Sequence, residues 1–223
     1  MNQHIIFVKN GFNVAATSIF VAVLLLFQSC GGPTEETEEK TEATETEQEA
    51  TEAKLSEEES IIKKGDSISQ TVFRALSGEL QQKIRETSIG EAISYCSERA
   101  IPLTDSIARE YNAEIKRVAT RYRNPVNKAS PEEEEILEQF EDNLRQDEEI
   151  KPVVSEFEEY WQYNSPIVMR QSLCLNCHGK PEEDIASEDY IAIQLIYPED
   201  KATGFSKGDL RGMWQIKLEK PEI

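Results

Sequence analysis

Histidine is almost absent from this chain. Only His4 and His178 occur among 223 residues. A zinc site needs about four ligands drawn from Cys, His and carboxylate side chains, and His4 lies too close to the N-terminus to serve a folded domain. Metal chemistry here must therefore combine His178 with residues of another type.

Positive charge is also scarce. The chain has 24 Lys and Arg against 43 Asp and Glu, a formal net charge of -19. The acidic excess continues beyond residue 60. Because proteins bind the phosphate backbone through basic surfaces, we expect no nucleic-acid partner.

The chain has no apolar run long enough for a comfortable membrane span. The one apolar stretch, residues 14–27, falls short of the roughly 20 residues that a span needs. It fits the apolar region of a secretory signal, and Lys9 supplies the positive charge that precedes such a region. We predict a signal peptide over residues 1–29.

Cys30 follows the small residue Ser29 at the point where the apolar stretch ends. This arrangement resembles the lipobox of bacterial lipoproteins, in which cleavage before the cysteine is coupled to lipid attachment at its sulfur. The alternative is an ordinary secretory signal followed by an incidental cysteine. We predict lipidation at Cys30 and export to the cell envelope. The outer membrane is favoured, because Gly31 is not the aspartate typical of inner-membrane retention in enteric bacteria.

The next segment differs in composition. Residues 33–59 are almost entirely Thr, Glu, Ala and Lys, with Leu55 as their one leucine. Such a stretch buries too little apolar surface to offset the entropy of ordering. We predict that residues 30–59 are a lipidated cysteine and a disordered acidic tether, and that residues 60–223 form a single domain.

Cys174-Leu175-Asn176-Cys177-His178 is the C-x-x-C-H pattern of c-type haem attachment. Two thiols add to the two haem vinyl groups, and the following histidine supplies the proximal imidazole. A redox-active C-x-x-C pair does not require that histidine, and half a zinc site lacks further ligands. We predict one covalent haem c.

Cys96 lies on the apolar face of a predicted helix, where a free cysteine is usually a small hydrophobe. The haem, however, has a sixth iron position to fill. Residue chemistry admits Met169, Met213, Cys96, a Tyr, a Lys, water or a vacancy. Met169 is close to the attachment motif in sequence, so Cys96, Met213 and an open site remain.

Hydrophobic periodicity predicts an α+β fold with helices early and antiparallel strands late. The predicted helices are residues 59–86, 89–111 and 131–145. The predicted strands are residues 114–121, 153–163, 167–169, 190–197 and 210–218.

Four blocks resemble a bacterial family of PAS-like c-type haem-binding domains, some of which are attached to cyanobacterial sensor proteins. The blocks are residues 92–96, 115–127, 173–179 and 197–212, the last beginning Tyr-Pro-Glu-Asp-Lys-Ala-Thr-Gly-Phe. The resemblance implies a PAS-like antiparallel sheet flanked by helices. It also implies His178 and Cys96, as thiolate, as the two iron ligands.

The second block carries the donors Lys116, Arg117, Arg121 and Arg123. Arginine binds carboxylates in bidentate fashion, and three of these residues would share one face of a strand. The alternative is a solvated basic edge beside the acidic residues 132–135. We predict that Arg123 contacts a haem propionate.

These features predict no enzyme, because two filled axial positions exclude O₂ and no acid–base pair is evident. A thiolate ligand favours Fe(III) and a low reduction potential. A tethered periplasmic electron-transfer protein is the leading interpretation, and a redox or gas sensor that signals to a partner protein is the alternative. A structural haem or a haem-free binding module comes third.

Overall fold

A computed structural model describes residues 39–221 of the chain. Within that range the protein is α+β, and its arrangement is compatible with a PAS-like fold. The helices are α1 Glu39–Glu86, α2 Ile89–Glu110, α3 Pro131–Arg145, α4 Ser172–His178 and α5 Ser187–Ile196, with a 3-10 turn at Pro125–Asn127. The strands are β1 Ala113–Val118, β2 Val153–Glu156, β3 Tyr160–Val168 and β4 Leu210–Glu219.

The predicted signal peptide, residues 1–29, and the predicted lipid attachment at Cys30 lie outside the described residues. Across residues 39–221, no helix combines the length and apolar character needed to cross a bilayer. The described residues divide into two compact units, one ending at Glu57 and the other beginning at Glu58.

Helix α1 begins much earlier than predicted. The sequence pattern predicted a disordered tether up to residue 59, whereas residues 39–59 are helical. Their Glu, Ala, Lys and Gln residues have high helix propensity, and extending an existing helix avoids the cost of nucleation. The domain boundary near residue 60 stays a prediction.

Four strands form one antiparallel sheet in the order β1-β4-β3-β2. The last strand of the chain is therefore central, and its burial is nearly continuous. Arg117 of β1 pairs with Trp214 of β4, and Tyr163 of β3 pairs with Ile216 of β4. Because side chains alternate along a strand, Arg117 shares a face with Trp214.

Helices cover both faces of the sheet. On one face, Ile68 and Val72 of α1 and Ile107 of α2 pack on the two tryptophans and Tyr163. On the other face, Leu137 and Phe140 of α3 cover Met213 and Val118. A smaller cluster, made by Ile93 of α2 with Ile185 and Ile193, joins α2 to α5.

The predicted strand at residues 190–197 is wrong, because these residues form most of α5. A short apolar run does not distinguish a buried strand from a helix. The burial pattern is helical: Asp189 and Ile193 are buried four residues apart, while Ile191 and Leu195 are exposed.

The break predicted before residue 167 is also misplaced. The chain turns between Glu156 and Tyr160, and β3 then continues through Pro166. Strand β2 pairs only with residues 161–164, so Pro166 occupies an edge position where no partner needs its missing N–H group.

Helix α1 packs tightly on the sheet at Gly65, because a Cβ atom there would lie 2.4 Å from ring atoms of Tyr163. We expect Gly65→Ala to lower the free energy of unfolding by about 1–3 kcal/mol through overpacking. Gly78→Ala in the same helix is the matched control, since a Cβ there meets nothing within 4 Å. Urea unfolding should show the control unchanged or up to about 1 kcal/mol more stable. Equal effects of the two substitutions would contradict the packing.

Candidate functional site

Helix α4 carries the whole attachment motif in two turns. Cys174 and Cys177 are three residues apart and therefore lie on neighbouring positions of one helix face, and His178 is the last residue of the helix. Cys174 packs against a cluster that includes Met169, and Cys177 packs against the cluster that joins α2 to α5. Cys174, Cys177 and Cys96 are all free cysteines.

The imidazole of His178 is fixed by one backbone group. Its Nδ1 lies 2.7 Å from the carbonyl oxygen of Ala202. A carbonyl oxygen only accepts, so Nδ1 carries the proton and the lone pair of Nε2 is left for a ligand bond. Burial, followed by the charges of Arg211 and Arg123, holds the pKa of His178 well below its usual range. The ring is therefore neutral, in the form that binds a metal ion.

Two backbone hydrogen bonds join the end of α4 to the segment after Ala202. The amide of Phe205 donates to the carbonyl of His178 at 2.9 Å, and the amide of Gly204 donates to Gly179 at 2.6 Å. Gly179 admits no side chain, because a Cβ there would lie 2.4 Å from the Cβ of Asp184. The turn after the motif therefore needs glycine for space.

Phe205 also contacts the ring of His178. Its ring meets the His178 ring edge to face, with centroids 6.3 Å apart. The guanidinium of Arg121 lies 3.8 Å from the Phe205 centroid, and that of Arg211 lies 5.6 Å from it. Sequence patterns did not single out Phe205 or Arg211, although both belong to the fourth block of the resemblance.

The hydrogen-bond donors of Arg123 are largely occupied by other groups of the protein. Its Nε donates to Oδ1 of Asp200 at 3.2 Å, and its Nη2 donates to Oδ2 at 3.3 Å. The same Nη2 also donates to the carbonyls of Cys177, at 2.5 Å, and Ala202, at 3.2 Å. These contacts give Arg123 a structural role at the motif. Its predicted contact with a propionate stays a prediction.

Strand β1 ends at Val118 rather than at residue 121, so the predicted common face of three arginines does not extend along a strand. Arg121 lies beyond its end and donates to the carbonyls of Lys201 and Thr203. Lys116 lies on the opposite face of the sheet, where its Nζ is 3.1 Å from Glu133. Lys116 is therefore not part of the site.

Two other arginines give the site an excess of positive charge. Burial, followed by the charges of Arg117 and Arg123, lowers the pKa of Arg211 to about 9. Arg117 lies over the Trp214 ring at 5.8 Å and is exposed to solvent. The buried Nε of Arg211 has no hydrogen-bond partner. Among residues 39–221, no carboxylate forms an ion pair with Arg117 or Arg211, so this cluster fits an anionic group from outside the chain.

Cys96 lies on α2, which packs against α5 in the apolar cluster that Cys177 also contacts. Cys96 is half-buried, and burial raises the pKa of its thiol, which Arg117 opposes and Glu79 reinforces. Burial is the main cause of the raised pKa of Cys177 and of Tyr197, and the charge of Cys96 is a lesser one.

The two methionine alternatives are placed differently. Met213 is fully buried on the α3 face of the sheet, away from the face that Arg117 shares with Trp214. This placement argues against Met213 as a ligand. Met169 is 2% exposed and packs with Ala202 and Phe205, on the side of the loop that anchors His178.

Comparison with known proteins adds two similarities. The model of the Tll0287-like family matches residues 36–218. Among solved structures, the chain is similar to the cyanobacterial haem protein Tll0287, with 28% identity, a TM-score of 0.46, and coverage of 57% of this chain and 73% of that one. No curated protein matches the chain.

Proposed function

The chain belongs to the Tll0287-like family, which confirms the predicted family, and on that premise we propose that it is a c-type monohaem protein. Cys174 and Cys177 would hold the haem through two thioether bonds, and His178 would bind its iron. The observation that carries the proposal is the 2.7 Å contact from Nδ1 of His178 to the Ala202 carbonyl. It leaves Nε2 free beside two thiols on the same helix, which is the donor set that c-type attachment requires.

The arginine cluster supports the same proposal. A haem carries two propionates, and Arg211 has an unpartnered Nε beside Arg117, which has no carboxylate partner among the described residues. Arg117 and Arg211 would bind these carboxylates, and the pairing would oppose the effects of burial and of the neighbouring arginines, which lower the pKa of Arg211. When bound, haem supplies an iron centre that exchanges one electron between Fe(III) and Fe(II).

Cys96 is the second axial ligand in this proposal. Cys96 lies on α2 and His178 on α4, and Arg117 opposes the rise that burial causes in the pKa of the Cys96 thiol. A thiolate donates negative charge and stabilises Fe(III). We therefore propose a low-potential electron-transfer protein that is not an enzyme and has no nucleic-acid partner.

A sensor remains the second candidate, and one feature favours it. The two proposed ligands lie on separate helices, α2 and α4, which are connected through the apolar cluster of Ile93, Ile193 and Cys177. Release of Cys96 from iron would free α2 to shift against that cluster. Such a movement would pass a redox or gas signal to a partner protein.

The cellular location is part of the proposal. Covalent attachment of haem to C-x-x-C-H occurs outside the bacterial cytoplasm, which agrees with the signal peptide predicted for residues 1–29. Lipidation of Cys30 would attach the domain to a membrane of the cell envelope, the outer one favoured, with its redox site in the periplasm or at the cell surface.

Attachment is tested by removing the thiols. We expect Cys174→Ala combined with Cys177→Ala to abolish covalent haem, because no thioether bond can form. The measurement is haem staining after denaturing electrophoresis of protein expressed with the c-type maturation machinery. Ser172→Ala, at the start of the same helix, is the control and should keep its stain. An unstained parent protein would refute the proposal.

The role of Cys96 is tested by measuring the reduction potential and the reaction with CO. We expect Cys96→Ser to raise the reduction potential by a measurable part of the ~0.8 V range over which axial ligands act. Ser94→Ala, on the exposed side of α2, should leave the potential unchanged. An unshifted potential in Cys96→Ser would reject the thiolate ligand.

The reaction of the reduced parent protein with CO distinguishes the two candidate functions. Absence of a reaction supports electron transfer, and rapid CO binding with loss of Cys96 supports sensing.

The anchor is tested by Cys30→Ser. We expect this substitution to release the protein from the membrane fraction, because the acceptor sulfur is lost while the preceding apolar stretch is retained. Cys96→Ser should stay with membranes, as a control for loss of a cysteine. Fractionation followed by immunoblotting measures the distribution, and retention of Cys30→Ser on membranes would contradict lipidation at this residue.

A further inference from the structure

We infer that the buried pair Asp200–Arg123 is a charge-balanced clamp that orients His178 and sets the reduction potential of the haem. The inference rests on the proposed function. Neither residue of the pair is a ligand, so both are positioning residues.

The clamp is largely inside the protein. The Asp200 side chain is 0% exposed and that of Arg123 is 13% exposed. Asp200 accepts two hydrogen bonds from Arg123 and a third, at 2.9 Å, from the amide of Ala202. A buried carboxylate and a buried guanidinium are each costly alone and are tolerated when paired and hydrogen-bonded.

The clamp holds the backbone that anchors His178. Asp200 fixes Ala202 through its amide, while the carbonyl of Ala202 accepts from Nδ1 of His178 and also from Arg123. Arg123 in addition binds the carbonyl of Cys177, the residue before His178. The pair therefore ties both partners of the His178 hydrogen bond to one rigid centre, and this bond sets the orientation and basicity of a metal-ligating imidazole.

The charge of Arg123 acts across the whole site. Burial raises the pKa of Cys177 and of Tyr197, and the charge of Arg123 opposes that rise. Burial lowers the pKa of His178, and the charges of Arg211 and Arg123 lower it further. Asp200 counters that positive charge at contact distance. Because an uncompensated cation near the iron disfavours Fe(III), loss of Asp200 alone raises the potential, and loss of Arg123 alone lowers it.

The first comparison makes the same substitution, aspartate to asparagine, at a buried and at an exposed position. Asp200→Asn keeps the size of the side chain and removes its charge, and its potential should be more positive than that of the parent. Asp142→Asn is the matched control, because Asp142 also pairs with an arginine, Arg145, but on the exposed surface of α3. Its potential should equal that of the parent. Equal potentials in Asp200→Asn and Asp142→Asn would overturn the inference.

The second comparison separates charge from packing. Arg123→Gln should shift the potential in the negative direction, and the double variant Asp200→Asn/Arg123→Gln should return towards the parent value. A role in packing alone predicts that the double variant departs at least as far as either single one, and that result would overturn the inference. If a single variant does not fold, the double variant decides, since a neutral pair should fold and a failure to fold would also contradict the inference.

Failure of the proposed function gives a different result. Without covalent haem in the parent protein, no potential exists to compare and the proposed function fails. With haem attached in the parent and in the folded variants, unchanged potentials reject only the role of the pair.

Discussion

The hydrogen bond from Nδ1 of His178 to the carbonyl of Ala202 is the contact on which the site depends. The attachment motif places two thiols and an imidazole on one helix turn, but it does not fix the imidazole. The loop that supplies Ala202 does so, and it is itself secured by backbone bonds from Gly204 and Phe205 to residues 178 and 179. The orientation of one ring thus rests on a loop more than twenty residues further along the chain.

A second constraint is electrostatic. The chain as a whole carries a net charge of -19, yet burial and the charges of Arg211, Arg123 and Arg117 together lower the pKa of His178. One of them, Arg123, is neutralised from within by Asp200, whereas the other two lack an ion-pairing carboxylate among residues 39–221. This division gives the arginines different roles: one positions the motif, and two are suited to an external dianion.

The sequence predicts the attachment residues, because the chemistry of the C-x-x-C-H pattern depends on local spacing. It also located α2, α3 and the last strand, whose periodicity is strong. It missed what depends on tertiary contacts. The short apolar run at residues 190–197 fits a strand or a helix equally, and only packing against Ile93 decides for α5. The role of Ala202 could not be predicted from the sequence, because Ala202 acts through its backbone carbonyl and not through its side chain.

The role of Cys96 could be predicted only in part from the sequence. Periodicity placed Cys96 on an inward face, and left it equal with Met213 and an open site. The family resemblance favoured Cys96. The structure adds that Met213 is buried on the other side of the sheet, while α2, which carries Cys96, shares an apolar cluster with Cys177. The topology that brings α2 and α4 to this cluster, across about eighty residues of sequence, could not be inferred from either segment alone.

The proposed function requires a single haem held between His178 and the Cys96 thiolate. Electron paramagnetic resonance of the purified, oxidised protein can detect this arrangement, since the signal reports spin state and axial ligands together. We expect one low-spin Fe(III) species with the narrow spread of g-values that thiolate ligation gives. A high-spin signal, or a low-spin signal typical of nitrogen or thioether ligands opposite histidine, would contradict it.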